Sequence, residues 1–359
     1  MTHILNPFSI DIDPMSKLLL VNFEKDPDSV YIGFEPQVFD DTIHGKGHLV
    51  IGWRIDGKVD VYHEPSLKLN PKGYDIVGKG LANMVESNMQ KAFFEVKNEG
   101  VQAHYIFNDI NGREVQIKIF ERNPKKRKPF GLLAPMGDAA ENPSALPLVL
   151  LYDFYFVRKK HTDIEVTIDN VRHEIDMLPL PLDMTKMYFT RYSPKPLIAR
   201  VNPSFNGVVN SIEVATGATT LSTADYEFGI VWENEKAFIQ RISRKNDVHP
   251  VNITFDNPFP NILTLENDTA ISGRFTIEAH VSTGQIIGEY KLEKANKNIQ
   301  LTMIPTKGWK PRPSKLSLRF LYAVASIFKK WPSTYLWTAN IRYEKEDNYT
   351  MASDWKRLK

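Results

Sequence analysis

The 359-residue chain contains no cysteine. Disulfides, thiolate nucleophiles, zinc–thiolate sites and iron–sulfur clusters are therefore excluded. No apolar run in it approaches the roughly 18 residues of a membrane-spanning helix. The dinucleotide fingerprint, the phosphate loop with its Gly-Lys-Ser/Thr and the Gly-x-Ser-x-Gly elbow are all missing, which removes most of the weight from nucleotide-dependent and serine-hydrolase chemistry. With 42% hydrophobic and 25% charged residues the composition is that of a globular protein, not a disordered one. A net charge of +2, from 45 basic and 43 acidic residues, gives no basis for nucleic-acid binding. The first residues, MTHILNPFSIDIDP, carry Asp11 and Asp13 and no basic residue ahead of an apolar core. From this no secretory leader is expected, and a cytoplasmic location is the expectation.

What is present is mostly strand. Leu49, Ile51, Trp53 and Ile55 alternate up to Asp56-Gly57, and Val59, Val61 and His63 alternate after it. Asp-Gly between two alternating runs marks a hairpin, because both central turn positions favour positive φ. Asn98-Glu99-Gly100 joins AFFEV to VQAHYIF, and Asp109 to Gly112 leads into EVQIKIFE. Asp169-Asn170, Glu233-Asn234-Glu235 and the stretch from Ser282 to Gln285 are flanked by alternating runs in the same way. A dozen or more short strands at such spacing predict antiparallel sandwiches or barrels.

Residues 123–147 hold five prolines and the basic tetrad from Lys125 to Lys128, and read as a long solvated loop. A second breaker-rich stretch from Ser193 to Gly207 suggests one domain boundary, with domains at 1–200 and 201–359. One helix is expected from Ser314 to Trp331, its apolar stripe formed by Leu316, Phe320, Ala323, Val324, Ile327, Phe328 and Trp331. Pro313 and Ser314 precede it and Pro332 stops it, and a strand-like run, TYLWTANIRYE, follows.

Strands, then a helix, then a last strand, with GRFTIEAHVSTGQIIGEYKLE leading to PTKGW, resemble the lipocalin arrangement. Two such units in one chain resemble the two-domain lipocalin-like family that includes carotenoid 1,2-hydratases and related bacterial proteins. The resemblance implies an all-β fold of two antiparallel barrel or sandwich domains. It also implies a cavity, inside or between them, for an apolar molecule. It carries no catalytic residue over.

The charge is unevenly spread. Between 305 and 343 there is no Asp or Glu, while Lys307, Lys310, Arg312, Lys315, Arg319, Lys329, Lys330 and Arg342 supply +8. The first 304 residues consequently sum to −6. Beside an amphipathic helix, the first seven of these cations suit peripheral docking on an anionic membrane, provided the apolar stripe is not used up against the protein's own barrel.

For chemistry, the informative groups are polar residues on apolar strands. Asp153 is the only charge in PLVLLYDFYFV, so it must be paired, hydrogen-bonded or protonated, and Arg191 is the expected partner. His63 and Glu121 end alternating faces and could stand at a barrel mouth. With Tyr155 these four form the candidate acid–base set, and Trp53, Tyr152 and Tyr192 are the candidate ligand-contacting aromatics. His44 and His48 have a metal-like spacing, but Gly45 and Gly47 lie between them and a strand starts at His48. No metal and no cofactor are expected. The reading that follows is an apolar small molecule held in a cavity, either bound only or converted by cofactor-free hydration, isomerisation or cyclisation. A carbohydrate-binding or carbohydrate-active β-sandwich is the alternative.

Overall fold

The computed structural model describes residues 1–358 except 75–79, 136–141, 183, 326 and 345–347. The protein is all-β, and its strands fall into two compact units. An inserted unit comprises 14–131 and 151–196, and a C-terminal unit comprises 1–13, 132–150 and 197–359. In place of a single crossing at residue 200, the chain crosses four times. Strand pairing is the reason: Ile10–Asp13 pairs with Leu197–Val201, which pairs with residues 146–150 of the strand Leu146–Arg158, so three segments remote in sequence share one unit.

The inserted unit is a sandwich. Its first sheet has the order Val171–His173, Thr162–Ile168, Glu114–Glu121, Gly100–Asn108, Lys91–Lys97. The second runs from the end of Leu146–Arg158 through Met187–Ser193, Met15–Asn22, Tyr31–Asp41, Gly45–Arg54, Val59–His63 and Leu81–Glu86, and its final pair is parallel. Alternation puts Leu19, Val21, Phe34 and Tyr62 of one sheet against Tyr105, Phe107, Val115 and Ile117 of the other, all fully buried. The hairpins expected at Asp56-Gly57, Asn98 to Gly100, Asp109 to Gly112 and Asp169-Asn170 are present. Asp169 and Asn170 adopt φ of 51° and 63°, the left-handed pair that a two-residue turn needs.

In the C-terminal unit each strand from Thr220–Ser222 to Asn298–Ile304 pairs with the next. Tyr335–Tyr343, Tyr349–Arg357 and Phe205–Val209 extend that sheet. The sheet is strongly curled, as one contact shows. The Phe8 ring lies 5.5 Å from Phe255 and 5.8 Å from Trp337, although three strands separate theirs in the sheet. Four strand steps laid flat would span about 19 Å. The sheet therefore wraps into a half-barrel around Phe8, which also packs on Phe259.

Two sequence expectations are corrected. Residues 123–147 are not one loop, because Phe130–Ala134 forms a strand within them; residues 136–141 lie outside the described set. The helix expected over 314–331 divides into α1, Leu316–Val324, and α2, Ile327–Lys330. Lys315, not Ser314, takes the N-cap position of α1. Its packed face is also not the expected one: Leu318 and Tyr322 are buried, whereas Leu316, Phe320 and Val324 are exposed. The side chain of Ile327 lies outside the described residues.

Candidate functional site

The outer face of the seven-stranded sheet, turned away from the sandwich core, carries the most chemically informative group. Register rows across this sheet place Arg191 opposite Leu20, Glu35 opposite Ile51, and Ile51 opposite Val61. With Leu18 facing Gln37 and Val21 facing Phe34, Leu20 faces Glu35. Arg191 and Glu35 thus stand in one row, two strands apart, which is roughly 10 Å between Cα atoms. Trp53 and Gln37 stand on the same face and both donate to the carboxylate: Gln37 Nε2 to Oε1 at 2.8 Å and Trp53 Nε1 to Oε2 at 3.1 Å.

Electrostatics make this carboxyl unusual. Burial pushes Glu35 up to about 7, against the opposing pull of the Gln37 and Trp53 hydrogen bonds and the Arg191 charge. Burial likewise brings Arg191 down to about 10, while Glu35 and Glu24 act in the other direction. The Arg191 guanidinium donates from Nη1 to Asn22 Oδ1 at 2.7 Å and to the Phe189 carbonyl at 3.0 Å, and stacks 4.4 Å from the Phe189 ring. No direct ion pair joins it to Glu35. Leu20, Glu35, Trp53, Phe189 and Arg191 each keep part of their surface open. The result is an apolar floor with a near-neutral acid at one side and a fixed cation at the other, an arrangement suited to proton exchange beside a bound oxygen.

Asp153 is not part of it. Arg191 is opposite Phe156, and Tyr155 is opposite Tyr192, so Asp153, two residues from Tyr155, is on the other face of the sheet from Arg191. The expected Asp153–Arg191 pair is ruled out by strand parity. Asp153 is half-buried and hydrogen-bonds Tyr155, whose hydroxyl is pushed well up by burial and by that carboxylate. Tyr155 stacks on the fully buried Tyr192 at 5.4 Å. Arg127 caps both rings, 4.5 Å from Tyr155 and 5.2 Å from Tyr192. The basic tetrad is therefore not wholly solvated, since its Arg127 is half-buried in a cation–π contact.

Glu121 is fully buried and bound by Arg158, Nε to Oε1 at 2.5 Å, with the Val101 and Arg158 amides also donating to it. Arg158 in turn donates to the carbonyls of Glu99, Asn123 and Lys125. Every polar atom here is spoken for, which is the arrangement of a structural clamp. His63 is on the outer face one row from Glu35, in line with Gln37 and Leu49, and its Nδ1 contacts the Glu64 carbonyl at 3.0 Å. Tyr152 is half-buried, its hydroxyl raised to about 12 by burial and by Asp153. His48 bonds Tyr105 at 2.9 Å and His44 contacts Asp41 at 3.3 Å. No group of three or more potential metal ligands occurs among the described residues.

Of the expected residues, the structure brings Arg191, Trp53 and His63 to the Glu35 face, and gathers Asp153, Tyr155 and Tyr192 with Arg127 on the other. Glu35 itself was missed. It is the only charge in YIGFEPQVF, so the criterion that singled out Asp153 would have found it.

In the C-terminal unit, an open cavity of about 490 Å³ is lined by Asn206, Glu293, Asn298, Gln300, Asn340 and Arg342, among others. No aromatic ring among the described residues lines it. Compared with known protein families, curated proteins and solved structures, the chain matches none.

Proposed function

We propose that the inserted unit binds a small, largely apolar molecule bearing a carbonyl or carboxylate oxygen, and that Glu35 exchanges a proton with it. Arg191 receives the oxygen. Leu20, Trp53 and Phe189 contact the apolar body. The carrying observation is the Glu35 carboxyl, raised to about 7 and facing a cation it does not pair with. An acid with that pKa can both give and take a proton at neutral pH, as cofactor-free hydration or isomerisation requires. This reading accords with what the two-domain lipocalin-like resemblance implies about ligand class.

The test is thermal-shift screening of the full chain against apolar carboxylic acids and ketones of graded length, followed by product analysis of each binder. Stabilisation is expected in wild type and should be lost in Arg191→Met. Glu35→Gln should keep binding and abolish any turnover. A screen in which no such compound stabilises the wild type, or in which Arg191→Met responds equally, overturns the proposal.

A further inference from the structure

Helix α1 has two apolar faces, and only one of them is used. At about 100° per residue, Leu316, Phe320 and Val324 fall within about 80° of arc, while Leu318 and Tyr322 lie about 200–240° round from Leu316. The second pair is the anchoring face. Leu318 is 1% and Tyr322 6% exposed, and the Tyr322 ring meets Trp309 edge-on at 5.0 Å. The first set points away from that packing, with Leu316 81%, Phe320 58% and Val324 62% exposed. Phe328 and Trp331, further along the expected stripe, pack inward, whereas Leu316, Phe320 and Val324 are not consumed by the protein's own barrel.

The chain segments flanking α1 carry charge of one sign. Lys315 caps α1 and Arg319 lies within it, beside the exposed apolar set, while Lys307, Lys310 and Arg312 precede it and Lys329 and Lys330 end α2. Of these, Lys307, Lys310, Arg319, Lys329 and Lys330 are exposed and form no ion pair among the described residues. Arg312 is 3.8 Å from the half-buried Glu278 and donates from Nη2 to Gln285 Oε1. No acidic residue lies anywhere between 305 and 343.

From this pairing we infer that α1 and its flanking cations form a peripheral docking surface for an anionic lipid bilayer. Three large apolar side chains along one nine-residue helix are far too few for a stable protein interface, which takes about 800 Å² per partner. They are enough for a bilayer, where shallow insertion adds to the attraction of several cations for lipid headgroups. No helix among the described residues is long and apolar enough to cross a membrane, so docking through α1 would be interfacial. The surface shares no residue with the Glu35 face and does not depend on any activity there.

The experiment is co-flotation of the full chain with phosphatidylcholine vesicles, with and without phosphatidylglycerol, at low and high salt. Flotation is expected only with the anionic lipid and only at low salt. Phe320→Glu and the pair Lys329→Glu/Lys330→Glu should each reduce it at least about tenfold, with unchanged melting temperature because these side chains are exposed. Failure of the wild type to float at low salt overturns the inference, as does flotation unaffected by Phe320→Glu. So does a dimer in light scattering that Phe320→Glu converts to monomer, which would show a second copy covering the stripe.

Discussion

Asp153 and Arg191 are on neighbouring strands of one sheet but on opposite faces, because Arg191 is in register with Phe156 and not with Tyr155. Each side chain has its own partners, Tyr155 for the acid and Asn22 with the Phe189 carbonyl for the base. A double-mutant cycle on Asp153→Asn and Arg191→Leu should accordingly be additive in unfolding free energy to within about 0.5 kcal/mol. A coupling well above about 1 kcal/mol would mean that the two are paired after all.

Glu35 should imprint a pH dependence on stability. Its folded-state pKa, about 7, is above the ordinary value of 4.5, so the folded protein holds this proton where the unfolded chain releases it. The associated stabilisation is complete below the ordinary carboxyl range and is lost as pH rises through about 7. Glu35→Gln, which stays neutral, lacks that loss. Urea unfolding across the range should show wild type losing ground to the variant up to neutrality and the two curves running parallel above it. A difference independent of pH would place Glu35 in ordinary solvent.

The Glu121–Arg158 clamp makes a contrasting prediction. Glu121 is inaccessible and its oxygens accept from Arg158, from the Arg158 amide and from the Val101 amide. Removing it strands a buried guanidinium, so Glu121→Ala should cost about 3–5 kcal/mol in chemical denaturation. Gly100 points the same way. A Cβ there would sit 2.4 Å from Glu121 Cγ, at a φ of 151°, so Gly100→Ala should also be destabilising. A loss for Glu121→Ala below about 1 kcal/mol would return Glu121 to the list of functional candidates.

Some of this was legible in the chain and some was not. The turns at Asp56-Gly57 and Asp169-Asn170 could be read because their determinants are local: a residue pair tolerant of positive φ between two alternating runs. Hairpin neighbours followed from them. The α1 segment was legible as helix but its orientation was not, since Leu318 and Tyr322 form as good a stripe as Leu316, Phe320 and Val324, and what chooses between them is Trp309. At the site, Arg191 and Trp53 were visible as candidates. The carboxylate that shares their face was not paired with them, because its strand, Tyr31–Asp41, is separated from Met187–Ser193 by about 150 residues of chain.

By itself, then, the sequence determined what depends on neighbours in the chain: the all-β class, the positions of the hairpins, the cationic segment without acids, and the exclusion of every cysteine-based chemistry. The tertiary structure alone decided what depends on register and curvature. Which residues share a face across strands distant in sequence, such as Arg191 with Glu35, follows from a register that a one-residue shift would reverse. That Phe8 should be gripped by both Phe255 and Trp337 follows from the closing of a sheet whose curl no local pattern encodes. Local backbone preference sets the strands; only close packing of side chains between them selects their alignment.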